Sequence, residues 1–117
     1  MAARGELGRY GERLAAGYLH NAGMRILARN WRCADGEIDI LARDGDTLVV
    51  VEVKTRSGCS HGTALEAVTQ DKIARLRVLA GRWLSGQREW FESTRVDVVA
   101  LERFAGDFAI RHERGVS

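Results

Sequence analysis

Glu52 and Lys54 stand two positions apart in the run LVVVEVKTR at 48–56, and Asp39 stands in the run GEIDIL at 36–41. Two or three carboxylates presenting hard oxygen ligands suit Mg²⁺ or Mn²⁺, which take a few protein oxygens and leave other positions to water and a substrate phosphate. Such an ion polarises a phosphodiester, stabilises the departing oxygen and eases deprotonation of a bound water. An ammonium such as that of Lys54 would orient the attacking water and stabilise charge developing on the phosphorane. The plainer reading is a Glu-Lys pair on a solvated sheet face, since hairpins often keep one polar face. It accounts for Glu52 and Lys54, and less well for Leu41 and Val50 on the same face, as if that face were covered.

Positioning these groups requires a hairpin. The segment GEIDILARDGDTLVVVEVK (36–54) contains Asp44-Gly45, a strong type I′ turn signal between two β-rich runs. With Asp44 and Gly45 as the loop, Glu37 faces Glu52, Asp39 faces Val50 and Leu41 faces Leu48. Alternation then gathers Glu37, Asp39, Glu52 and Lys54 on one face, and Ile38, Ile40, Ala42, Val49, Val51 and Val53 on the other. A slip of one residue would set the first run's carboxylates among the valines, so the hydrophobic pattern selects the register that gathers the charges. Gathered carboxylates repel, and an unpaired buried charge is costly. Lys54 alone does not balance them; a divalent cation would.

Other elements must frame the hairpin. Residues 6–22 place Leu7, Tyr10, Leu14 and Tyr18 at helical spacing, with Gly23 as the stop. Beside that stripe Glu12 shares a surface with Gly8, Ala15, Ala16 and Leu19, an unusual neighbourhood for a carboxylate; a surface Glu paired with an arginine is the plainer account. MRILARNWRC (24–33) reads as a first strand, and SGCSHG (57–62) as a small-residue loop. Residues 63–86 carry Leu65, Val68, Ile73, Leu76, Ala80 and Trp83 on one helical stripe, with Lys72, Arg75 and Arg82 as a basic edge. Residues 93–114 read as two strands around Ala105-Gly106-Asp107. Helix, three strands, helix, two strands is an α/β pattern: a mixed sheet of about five strands with helices packed on it.

Composition narrows the classes. A chain of 117 residues with 45% hydrophobic content builds one domain, 1–117, without disulfide staples. A net charge of +2 gives no whole-molecule field toward nucleic acid, so any anion-binding surface must be local. Cys33 and Cys59 form neither a disulfide framework nor a zinc motif, and no apolar run suits a membrane span or a signal peptide. A cytoplasmic location and no membrane partner are expected. Of the 18 basic residues only Lys54 and Lys72 are lysine, and an ammonium is a compact point charge where guanidinium is a broad fork.

A carboxylate on one strand of a hairpin, Glu-x-Lys on the next and a Glu on the preceding helix resemble the PD-(D/E)xK nuclease superfamily, which includes restriction endonucleases and archaeal Holliday-junction resolvases. More closely, GERLAAGYL, NWRCADGEIDILARD and VVVEVKTR resemble the YraN-like bacterial proteins over nearly the whole chain. The resemblance implies a restriction endonuclease-like fold, Asp39 and Glu52 as metal ligands, Lys54 as catalytic lysine and Glu12 as an additional catalytic acid and ligand, with Val53 also counted among the ligands. It implies Mg²⁺ or Mn²⁺ as cofactor. By analogy Gln70, Lys72, Arg75 and Arg56 contact nucleic acid. The superfamily's proline is replaced by Ile38. Glu37 is a candidate for orienting a ligand, Asp97 reads as structural, and His61 as a solvated loop residue.

The leading expectation is a divalent-metal-dependent DNA endonuclease, with branched or junction DNA as the substrate suggested by the resolvases. The alternatives are a nucleic-acid-binding module of the same fold with little or no catalysis, and a scaffolding protein with a merely solvated acidic face. A pure binding module gains little by placing carboxylates where phosphates approach. Aromatics at Trp90-Phe91 would serve a homodimer interface.

Overall fold

The computed structural model describes residues 6–57, 68–104 and 106–116. The order is helix α1 (Glu6–Asn21), strands β1 (Arg25–Cys33), β2 (Gly36–Asp44) and β3 (Thr47–Ser57), helix α2 (Gln70–Ser85), and strands β4 (Ser93–Phe104) and β5 (Asp107–Glu113). The strands form one mixed sheet in the order β1-β2-β3-β4-β5. Hairpins join antiparallel neighbours, whereas β3 and β4 run parallel and therefore need the crossover that carries α2. The α/β architecture and element order are those the sequence pattern predicts.

Each helix covers one sheet face. Ala15, Ala16 and Leu19 of α1 pack with Met24, Ile40, Ala42, Val49, Val51, Val53, Val99 and Leu101. Ile73, Leu76, Leu79 and Ala80 of α2 pack with Ile38, Leu41, Leu48, Val50 and Val96. Leu48 to Val51 are therefore buried without a break, as expected of a strand covered on both faces. No described helix is long and apolar enough to cross a membrane.

On α1 the buried face lies one step round from the predicted stripe. Tyr10 is 45% exposed and Leu14 and Tyr18 are half-buried, whereas Glu12, Ala15, Ala16 and Leu19 are buried. Small residues let the helix backbone close on β3: a Cβ added to Gly11 would collide with Thr55 Oγ1 and press on Leu101. The larger residues flank that contact. Leu7's side chain and Leu65 lie outside the described residues.

The hairpin register differs by two residues from the expected one. Asp44 pairs with Thr47, Leu41 with Val50 and Ile40 with Val51, so the loop is Gly45-Asp46 rather than Asp44-Gly45. Gly45 takes the left-handed φ of 62° at the first loop position, where a two-residue loop with glycine leading needs it. Asp44 is retained at the strand end by Arg95, 2.9 Å away. A shift of two keeps the paired residues Ile40 to Asp44 on their expected faces, so the alternation there survives. The pairing of Glu37 with Glu52 does not: Glu37 lies opposite Arg32 on β1 and forms an exposed ion pair with it at 3.5 Å.

Helix α2 starts later than the stripe from residue 63 suggests. Thr69 is extended and its hydroxyl accepts a hydrogen bond from Lys72 N at 3.2 Å, which caps a helix beginning at Gln70. Within it Ile73, Leu76 and Ala80 are buried as predicted, joined by Leu79.

Candidate active site at the fork between β2 and β3

The site begins as an irregularity in β2. Ile38 joins the core beneath α2 while Ile40 joins the core beneath α1, although residues two apart on a regular strand share a face. The strand therefore turns over at Asp39. Across in β1, Arg29 pairs with Ile40 and Trp31 with Ile38, and Asn30 between them has φ 53°, the one positive φ among the described non-glycine residues. Asparagine tolerates that left-handed conformation better than most residues. The β2–β3 ladder ends at Ile40 and Val51. Beyond it, Asp39 Oδ2 accepts a hydrogen bond from Val53 N–H at 2.8 Å, so a carboxylate takes the place of a backbone rung. The N–H and C=O of one strand residue leave by the same edge, which directs the Val53 carbonyl to the same fork.

Glu52 is the centre of the arrangement. It is 6% exposed, and its Oε2 lies 3.3 Å from Lys54 Nζ and 3.6 Å from Lys72 Nζ. Lys54 shares its strand, while Lys72 reaches across from the first turn of α2. Burial, and then the charge of Asp39, push the Glu52 carboxyl above its ordinary range; Lys72 and Lys54 pull it back without cancelling the rise. Asp39 is itself 6% exposed. The fold thus brings together two buried carboxylates and both lysines of the chain.

Glu12 is 1% exposed and lies on the α1 face formed with Ala15, Ala16 and Leu19. It is not drawn into a metal-ready trio: among the described residues no group of three or more His, Cys, Asp or Glu side chains stands close enough to hold an ion. At the fork itself the hard-oxygen groups are Asp39, Glu52 and the Val53 carbonyl. That set suits Mg²⁺, which is commonly held by one or two carboxylates with water and phosphate completing its shell.

The basic edge of α2 divides. Lys72 turns to Glu52, Arg82 forms an ion pair with Asp35, and Arg75 is exposed, as is Gln70 at the helix start. The side chain of Arg56, with His61 and Cys59, lies outside what the structure describes; Cys33 is a half-buried free thiol. Trp90 is 68% exposed, but its neighbour Phe91 is half-buried against Trp83 and beneath Arg43, whose guanidinium stands 3.9 Å from the ring centroid. The exposed aromatic pair reduces to Trp90. A cavity of about 440 Å³ at the end of α1, lined by His20, Gly23, Met24, Arg25 and Ile26, contains none of the site carboxylates.

Two features escaped sequence reasoning. Lys72 reads as a phosphate contact in sequence, and its bond to Glu52 depends on where α2 crosses the sheet. The second is a network around Asp97, which is fully buried. Its carboxylate accepts from Arg95 Nε at 2.9 Å, His112 Nε2 lies 2.8 Å from it, and Gly115 N–H donates at 3.0 Å; His112 Nδ1 lies 3.0 Å from the Tyr18 hydroxyl. Asp97 thus joins a buried polar network, in keeping with the structural reading of its setting among valines. The alternation of Arg95 and Asp97 with Val96 and Val98 hinted at one shared polar face, but nothing marked His112 as the partner.

Comparison with known proteins agrees along the whole chain. A UPF0102 protein of Beutenbergia cavernae is 51% identical over 117 residues, covering 99% of each chain. One from Kineococcus radiotolerans is 54% identical over 121 residues, covering 100% of this chain and 98% of the relative. One from Acidothermus cellulolyticus is 59% identical over 96 residues, covering 82% and 70%. The profile of Uncharacterised protein family UPF0102 matches residues 11–101, a span that includes every carboxylate and both lysines of the fork, and the chain belongs to that family.

Proposed function

We propose that this protein is a Mg²⁺- or Mn²⁺-dependent DNA endonuclease of the PD-(D/E)xK type, related to the junction resolvases and acting on branched DNA. The observation that carries the reading is the fork itself. Two buried carboxylates side by side are costly, and a strand ladder interrupted to turn Asp39 toward β3 gives up pairing that a purely structural sheet would keep. Sites that serve chemistry retain such costs.

Asp39, Glu52 and the Val53 carbonyl would hold the ion, and when bound it supplies Lewis-acid polarisation of the phosphodiester and a more acidic water. Lys54 is the nearest cation to Glu52 and is one-third exposed, so its ammonium can meet both the carboxylate and an entering phosphate. There it orients the attacking water and stabilises negative charge on the phosphorane. Arg75 and Gln70, exposed on α2, would meet the DNA backbone as positioning contacts. Glu12, buried on α1, is the additional acid that the resemblance implies for the site.

The test is incubation of purified protein with linear, single-stranded, flapped and four-way-junction DNA in Mg²⁺, Mn²⁺ or EDTA. Cleavage is expected with metal only, and Asp39→Ala and Lys54→Ala are each expected to lower the rate by about 10²-fold or more. No cleavage of any substrate, or variants that cut like wild type, ends the nuclease reading. Metal-independent binding without cleavage would favour the non-catalytic binding module.

A further inference from the structure

Lys72 sits in an electrostatically awkward place. It is the third residue of α2, where the partial positive charge of a helix N-terminus disfavours a cation. Asp71 beside it fits that end; Lys72 does not. The chain otherwise meets nearly every need for positive charge with arginine, and its two lysines converge on one oxygen of one buried glutamate. An ammonium is a compact charge that can occupy the place of a small hydrated cation, which a guanidinium fork fits poorly. Lys54 reaches Glu52 along its own strand. Lys72 comes from a separate element and is 36% exposed, so it can leave that oxygen without disturbing the sheet.

We propose that Lys72 is a built-in counter-cation. In the ion-free protein it neutralises Glu52, and it competes with a divalent cation for the same Oε2. Once displaced, the ammonium is available to a DNA phosphate, so ion binding and DNA binding reinforce one another through one side chain. Such coupling is reciprocal: whatever draws Lys72 away from Glu52 strengthens ion binding. The proposal rests on the ion site described under Proposed function and adds its regulation.

Calorimetric titration of Mn²⁺ into the full chain, without nucleic acid, tests it in wild type, Lys72→Met and Lys72→Arg. Far-UV circular dichroism and thermal melting confirm that each variant is folded. Lys72→Met is expected to bind Mn²⁺ about tenfold more tightly than wild type, within the usual range of coupling between two ligands. Lys72→Arg, which keeps the charge but fits the place of the ion poorly, is expected to fall between wild type and Lys72→Met. Equal affinity in wild type and Lys72→Met, or weaker binding by the variant, overturns the counter-cation while leaving the ion site standing. No Mn²⁺ binding by either protein overturns both. Repeating the titration with a four-way DNA junction present should raise wild-type affinity several-fold and change Lys72→Met little. An equal DNA effect on both, or none on either, overturns the hand-over to phosphate.

Discussion

Glu52 illustrates at residue scale how a functional carboxylate weakens its own fold. Its carboxyl is raised by burial and by Asp39, so the folded state holds the proton more tightly than the unfolded chain does. The consequence has a definite sign. Below about pH 4.3, the ordinary glutamate value, both states are protonated and the residue costs nothing; as pH rises past that value, ionisation of Glu52 progressively destabilises the folded protein. Glu52→Gln should therefore raise the melting temperature at pH 7 to 8 by about 2–5 °C, with the gain shrinking as pH falls toward 4. The same variant should lose nuclease activity. A melting temperature lowered at neutral pH would mean that the two lysines outweigh burial and repulsion. Glu52-x-Lys54 was conspicuous in sequence because charge interrupts valine; its burial and its second lysine were not, because both depend on where α2 lies.

At the scale of elements, the fork is made by a paired distortion of β1 and β2. Asn30 holds a left-handed φ in mid-strand, and opposite it β2 turns over at Asp39. A β-branched residue at Asn30 would pay about 1–2 kcal/mol for that conformation, whereas glycine adopts it freely. Asn30→Val is therefore expected to lower stability by about that amount in urea denaturation and to reduce cleavage by loosening Asp39 from Val53. Asn30→Gly should remain within about 0.5 kcal/mol of wild type and stay active. If valine is tolerated as well as glycine, the conformation at Asn30 does not shape the fork. The strands and both helices were legible from periodicity, and the hairpin to within two residues. The two-residue error arose because the turn signal names Gly45 without saying which loop position it fills. The break at Asp39 was hidden because Ile38 and Ile40 look like one alternating face and pack into two different cores.

At the scale of the whole molecule, one polar network ties the far edge of the sheet together. Asp97 on β4 is reached by Arg95, by His112 on β5 and by Gly115 beyond it; Arg95 also reaches Asp44 on β2, and His112 reaches Tyr18 on α1. Burial alone would push the Asp97 carboxyl up, but the hydrogen bonds from Arg95, Gly115 and His112 outweigh it and hold the group below its ordinary range. A depressed carboxyl contributes stability above the unfolded value, about 3.9, and loses it as pH falls through the folded value. Asp97→Asn is expected to cost roughly 1–3 kcal/mol at pH 7, because it takes acceptor capacity away from the partly buried Arg95 guanidinium and from the Gly115 N–H. Urea denaturation at pH 7 and pH 3 should show that cost narrowing in acid. An unchanged difference at the two pH values would mean that the ionised form is not what holds the network.

The sequence by itself determined the element order, the burial of the valine face of β3 and the identity of Asp39, Glu52 and Lys54 as the unusual charges. These are local properties: period, turn chemistry, and charge where apolar residues should be. Only the tertiary structure decided that Glu12 is buried, that Lys72 meets Glu52, and that Asp39 replaces a backbone rung at Val53. Each depends on how separate elements cross or part, and a one-dimensional pattern carries no information about the gap between two strands or the approach of a helix from another part of the chain.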